Sequence, residues 1–227
     1  IIAVSEGVRE DLLTTTGMPA ERITAIKNPV TTADMIREAK AAVDHPWMRD
    51  DFDEPVVISV GRLSKNKDHQ TLLKAFRLIN DEVPSRLLIL GEGPERPTLE
   101  RAIAETGLLD RVQLPGFVDR PWAWMAKSSL FVLSSSAEGS GNVLTEAMAV
   151  GIPVVSTDCP SGPNEMLDGG RIAPLVPIGD AAALAEACIG VLKTGIAPSL
   201  LEEAVAPFKA EVAARSYLAF MKVNAPF

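Results

Sequence analysis

Six short apolar runs recur along the chain: VVISV (56–60), RLLIL (86–90), RVQL (111–114), LFVL (130–133), PVVS (153–156) and APLV (173–176). They show little of the apolar–polar alternation of a strand with one wet face, so they read as strands buried on both sides. Segments with helical spacing lie between them. One starts at Asp68 and carries LLKAF, and a second runs from near Pro94 to Gly107. A third is VLTEAMAV, ended by Gly151, and a fourth spans Ala181 to Lys193. Strands alternating with helices predict a doubly wound α/β domain, a parallel sheet of about six strands covered on both faces. In such sheets ligands bind beyond the carboxyl ends of the strands.

The flanks are less regular. The opening IIAV reads as a strand caught partway, and it carries neither a methionine nor a charged leader. Ser5 suits the N-cap of a helix over EGVREDLLTTT, with Gly17 as its stop. The expectation is that residues 1–30 are the tail of a preceding domain and its linker, and that 31–227 form a C-terminal domain. A trimmed terminus is the alternative. Thr31 to Asp44 suggests a short helix, and HPWMRDDFDEP (45–55) a polar loop. The last segment, FKAEVAARSYLAFMKV (208–223), is helical, packed either across a domain boundary or as an ordinary terminal helix.

Composition narrows the functional classes. Of the 227 residues 47% are apolar and 23% charged, which fits a globular chain rather than a disordered one. The net charge of −8 argues against generic binding to nucleic-acid phosphates but leaves room for a local cationic pocket. No apolar run approaches the length of a membrane span. Two cysteines, Cys159 and Cys188, make no disulfide framework and point to a reducing compartment.

Four segments carry candidate chemistry. In VGRLSKNKDHQ, Gly61 turns the chain after a strand, and Arg62 and Lys67 are two cations able to clamp a diphosphate. Both are equally readable as solvated loop charges, and Lys65 is a rival for Lys67. In LGEGP, Gly91 follows a strand at a tight turn that lets a ligand approach. In LPGFVDRPWAWM, Phe117 and Val118 either flank a flat base or plug a loop. In AEGSGNVLTEAMAVG, Gly139 and Gly141 precede a helix whose N-terminal amides suit phosphate. Glu138 and Glu146, on either side of that start, suit hydroxyl pairs of a sugar and a ribose. A glycosidase carboxylate pair is a poorer reading, because such pairs come from separate elements around a scissile bond. The Asp51-Phe52-Asp53 string precedes its strand and is not taken as a metal site. His45 and His69 have no ligand spacing.

Together, VGRLSKNKDHQTLLKAF, LGEGP, LPGFV and EGSGNVLTEAMAVGIPVVSTDCPSGPNEML resemble the retaining, metal-independent glycosyltransferases of family 4, with the GT-B fold. SEGVREDL through NPV also looks like that family's passage between its two halves. The resemblance implies that the chain is the Rossmann-like C-terminal half, which binds a nucleotide diphosphate sugar. The expected donor is a UDP-sugar first and a GDP-sugar second, with no metal or other cofactor. It implies that Arg62 and Lys67 hold the diphosphate and that Glu138 contacts the donor sugar. Gly141, Asn142 and Val143 form the helix start that meets phosphate and sugar, Glu146 holds the ribose, and Phe117 and Val118 receive the base. Ser140 departs from the family's usual aromatic residue, which changes the sugar pocket. The implied partners are the missing N-terminal half and an acceptor glycan or lipid. The implied location is cytoplasmic, with any contact to the inner membrane face made through that other half. A non-catalytic nucleotide-sugar-binding module on the same fold is the alternative function. A sugar-nucleotide epimerase fits less well, because such enzymes lack this pairing of GRL…K with EGSGN.

Overall fold

The computed structural model describes residues 1–221. The end of the expected last helix, Lys222 and Val223, and the rest of the tail lie outside the described residues. The strands are β1 (Ile2–Ala3), β2 (Thr24–Ala25), β3 (Val56–Val60), β4 (Arg86–Leu90), β5 (Val112–Gly116), β6 (Leu130–Leu133), β7 (Val154–Thr157) and β8 (Leu175–Val176). The α-helices are α1 (Glu6–Thr16), α2 (Ala33–Glu38), α3 (His69–Glu82), α4 (Arg96–Glu105), α5 (Trp122–Ala126), α6 (Asn142–Ala149), α7 (Pro163–Met166), α8 (Ala181–Thr194), α9 (Pro198–Val205) and α10 (Ala210–Phe220).

β3 to β8 form one parallel sheet in the spatial order β5-β4-β3-β6-β7-β8. The winding direction reverses between β3 and β6, which is where a doubly wound sheet opens a crevice for a ligand. Successive residues of the central strands serve opposite faces. Val57, Leu87, Ile89 and Val132 join α3 and α8 on one side, around Leu72, Phe76, Leu184 and Cys188. Ile58, Leu88, Phe131 and Leu133 join α6 and α9 on the other, around Leu144, Met148, Leu201 and Phe208. This double coverage explains the unbroken apolar runs.

The margins shift for physical reasons. RVQL is realised as Val112–Gly116, at the edge of the sheet, where it pairs with β4 alone and its middle residues alternate in exposure. Pro115 is tolerated there because an edge strand has an amide to spare. APLV shrinks to two paired residues, Leu175 and Val176. HPWMRDDFDEP is not wholly polar. It holds a single turn of 3₁₀ helix, Pro46–Met48, and buries Met48 beneath β3, while the Arg86 guanidinium lies 5.3 Å from the Trp47 ring.

α1 runs over the expected residues. The Ser5 hydroxyl accepts the Val8 amide, and Gly17 closes the helix in a left-handed conformation. Residues 1–30 carry a separate parallel pair, β1 with β2. They are tied to α7 through Glu165, whose carboxylate accepts the Glu6 and Gly7 amides and pairs with Lys27 at 2.5 Å. Burial pushes the Glu165 carboxyl up, but the Lys27 bond and the two amides outweigh it and hold it below its usual value.

Candidate functional site

A cleft of about 580 Å³ opens at the carboxyl ends of β3 and β6. Arg62, Lys67, Glu138, Asn142, Val143 and Glu146 all line it, with Gly61, Phe117, Val118 and Gly141. An adjoining hollow of about 380 Å³ is bounded by Val60, Gly61, Arg62, Leu90, Gly91, Glu92, Phe117 and Val118. Gly139 lines neither and instead gives its carbonyl to the Ser5 hydroxyl at 3.1 Å. Lys65 faces a different hollow beside His69 and Lys74.

The floor is set by the loop after β3. Gly61 lets the Lys67 stem cross it closely, since a Cβ there would stand 3.3 Å from Lys67 Cε. The Lys67 ammonium meets Glu138 Oε1 at 2.5 Å, and the Ser135 hydroxyl donates to the same oxygen at 2.6 Å. Both ionic side chains are largely buried, at 16% and 11% exposure, so each cancels charge the other would otherwise expose. The Arg62 guanidinium, by contrast, forms no ion pair among the described residues and stands exposed at the cleft.

Three loops are tied together by two hydroxyls and a backbone amide. The Ser134 hydroxyl donates to the Lys67 carbonyl at 2.8 Å, and the Ser136 amide to the Asn66 carbonyl at 2.8 Å. The Thr157 hydroxyl donates to the Ser135 carbonyl at 2.6 Å. These bonds fix the loop after β6, and hence Glu138, against the loop after β3.

α6 begins at the far wall. Its N-cap, Gly141, sits at φ 67°, a left-handed conformation that glycine adopts without strain. No side chain caps the helix; the Leu144 amide turns back to the Gly141 carbonyl at 2.8 Å, which leaves the Asn142 and Val143 amides for a ligand or water. Glu146, one turn in, is half-buried. Burial pushes its carboxyl above the usual range, and the Trp122 indole N–H, 3.1 Å from Oε2, pulls it partly back.

The GEG turn after β4 lines the smaller hollow at Gly91 and also presses against the loop after β3. A Cβ on Gly91 would stand 1.9 Å from the Gly61 carbonyl oxygen, so the close approach is between two turns of the chain itself. Phe117 is 73% exposed, so it is no plug; it forms the rim shared by the two hollows. Cys159 is buried outside the cleft lining, and its thiol is pushed up to about 11 by burial, with the Glu138 charge adding to the rise. His69 is the first residue of α3 and is buried; burial first, then the Lys67 charge, brings it down to about 4. Asp51 and Asp53 precede β3 and so lie at the opposite end of the sheet from the cleft.

Two lining residues, Val4 and Asn28, and one residue behind the lining, Trp122, are not announced by any motif. Val4 and Asn28 arrive from the N-terminal segment, and the Asn28 amide donates to Asn142 Oδ1 at 2.9 Å. Trp122 reaches Glu146 from α5. Only tertiary packing brings these together; the one local signal is that Trp122 opens a short apolar helix just beyond Val118.

No single helix among the described residues is long and apolar enough to cross a membrane. The chain is 33% identical over 201 residues to the lipopolysaccharide core biosynthesis glycosyltransferase LpsE of Rhizobium meliloti, covering 86% of this chain and 56% of that protein. It is 32% identical over 178 residues to N-acetylgalactosamine-N,N'-diacetylbacillosaminyl-diphospho-undecaprenol 4-alpha-N-acetylgalactosaminyltransferase of Campylobacter jejuni, covering 78% and 46%. It thus spans about half the length of these curated relatives. Its fold is shared with the Anabaena protein HepE, solved in complex with UDP and glucose, at a TM-score of 0.81 and 22% identity over 97% of this chain and 62% of that one. Residues 54–194, which carry every motif from β3 through α8, match the description glycosyl transferases group 1. With that match covering the whole six-stranded sheet and every cleft-lining residue except Val4 and Asn28, the chain belongs to the glycosyl transferases group 1 family.

Proposed function

We propose that the cleft binds a nucleotide diphosphate sugar, and that this chain is the C-terminal, donor-binding half of a retaining, metal-independent glycosyltransferase. The observation that carries the reading is the convergence of Arg62, Lys67 and the uncapped start of α6 on one cleft, with a carboxylate to either side. Arg62 and Lys67 hold the diphosphate, with the Asn142 and Val143 amides beside them. The apolar hollow behind Phe117, Val118 and Gly91 receives the base, and Glu146 takes the ribose hydroxyls. Glu138 faces the sugar. UDP is the first choice of nucleotide, the one HepE holds.

In the reaction the bond from the sugar's anomeric carbon to the diphosphate oxygen breaks, and its electron pair goes to the diphosphate. The acceptor hydroxyl oxygen forms the new bond on the same face and gives its proton to the departing diphosphate oxygen. Arg62, Lys67 and the helix start stabilise the charge on the leaving group, the task that a divalent ion performs elsewhere. Glu138 stabilises the positive charge that develops on the sugar. An acceptor half closing over the cleft excludes water and so limits hydrolysis.

A thermal-shift panel of UDP-, GDP- and ADP-sugars on this chain tests the donor site. A ligand at 100 times its Kd adds about 2.7 kcal/mol to the folded state, so one nucleotide raises the melting temperature clearly. No shift with any of them overturns the reading. Arg62→Ala weakens nucleotide binding at least about ten-fold by calorimetry, the loss of a charge-assisted contact; unchanged affinity removes the clamp. With the complete enzyme, turnover is the same in EDTA as in magnesium and the product keeps the donor's anomeric configuration. An inverted product overturns the retaining assignment, and binding without turnover favours a non-catalytic module.

A further inference from the structure

We propose that Trp122 is a positioning residue for the donor: its indole N–H holds the Glu146 carboxylate in place for the ribose. The proposal rests on the donor-site reading above and adds a residue that lies outside the motif.

The geometry is specific. Trp122 is the first residue of α5, half-buried against the cluster that also packs α6. Its Nε1 lies 3.1 Å from Glu146 Oε2, and Glu146 lines the cleft one turn into α6. Among the described residues Glu146 has no cation partner, in contrast with Glu138 and its Lys67. A half-buried carboxylate held only by a neutral donor keeps its charge less securely than an ion-paired one. The single indole bond therefore does two things. It occupies one carboxylate oxygen and so fixes the rotamer of the other, and it favours the ionised form that accepts hydroxyl hydrogens.

Other charges bear on Glu146. Arg62, Lys67, Asp119 and Glu138 share the cleft lining. α5, β6 and β7 carry no charged side chain, and the carboxylates of α9, Glu202 and Glu203, are exposed. Loss of the indole N–H leaves burial unopposed at Glu146, so its carboxyl rises further. The ionised form binds ribose, so affinity is complete above the Glu146 pKa and falls as the pH drops through it. The variant's acid limb thus lies at higher pH than that of the wild type.

UDP-glucose is the probe, because each of its phosphates carries one ester and one anhydride link and keeps a single charge across the titration. By calorimetry on this chain at pH 7.5, Trp122→Phe binds UDP-glucose about ten-fold more weakly, the size expected for a hydrogen bond to a charged group. Its acid limb moves to higher pH. In a Glu146→Gln background the same substitution changes affinity less than about two-fold, because the two residues act as one unit. In the complete enzyme the donor KM rises with kcat nearly unchanged, the sign of a contact made equally in ground and transition states. If Trp122→Phe fails to fold, replacing the indole by benzothiophene keeps the shape and removes only the N–H.

Affinity within two-fold of wild type, or an equal loss in the Glu146→Gln background, overturns the positioning role. If neither UDP-glucose nor GDP-glucose binds the wild-type chain, the donor-site reading fails first and takes this one with it. Binding by wild type with no effect of the indole separates the two.

Discussion

Glu138→Gln lowers kcat of the complete enzyme about 10²–10³-fold, the range seen when one preorganised electrostatic group is removed from a water-excluded site. Gln is chosen because it keeps the shape and can still accept the Ser135 hydroxyl. What it loses is the charge that, in the proposed reaction, faces positive charge growing on the sugar. Nucleotide affinity follows a different course. In the free protein Lys67 is neutralised by Glu138 across 2.5 Å, and any diphosphate competes with that carboxylate for the ammonium. The substitution frees Lys67, so UDP binds as tightly as to wild type or more tightly. Steady-state rates together with calorimetry check both halves. Turnover within three-fold of wild type removes Glu138 from the chemistry. Parallel loss of binding and turnover makes it a structural partner of Lys67 instead.

Gly91→Ala destabilises the chain by about 3 kcal/mol or more, and the cause is local. Gly91 sits at φ 141°, and a Cβ there would stand 1.9 Å from the Gly61 carbonyl oxygen, which is backbone and has little room to move. The positive φ costs about 1–3 kcal/mol for a residue with a side chain, and forcing the two turns apart costs about as much again. For a chain of this size about 3 kcal/mol corresponds to a fall in Tm of roughly 6–12 °C. Differential scanning calorimetry measures it. Arg62 follows Gly61 directly, so the displaced turn also carries the cation away, and nucleotide affinity falls with stability. A Tm within 2 °C of wild type shows that the two turns are not pressed together.

The central sheet was legible because a parallel strand covered on both faces must be apolar at nearly every position, as in VVISV, RLLIL and LFVL. α1 was legible because its ends depend on the local chemistry of Ser5 and Gly17. RVQL and APLV are strands whose ends differ from the expectation, because pairing with a neighbour, not composition, sets the ends of an outer strand. The burial of Met48 was hidden because its run has no period to betray a buried side. At the cleft, Glu138, Gly141 and Glu146 share one short stretch of chain, so their convergence follows from a helix start. That Arg62 and Lys67 meet them follows from β3 and β6 being neighbours, which alternation alone does not specify. Val4, Asn28 and Trp122 come from elements whose placement nothing local announces.

The hydroxyls of Ser134 and Thr157 and the amide of Ser136 stitch the turns after β3, β6 and β7 before any substrate arrives. Freezing a backbone residue costs roughly 1–2 kcal/mol, and here that entropy is surrendered when the chain folds. Capture of a ligand then needs little further ordering of these turns, which leaves more of the contact energy to appear as affinity.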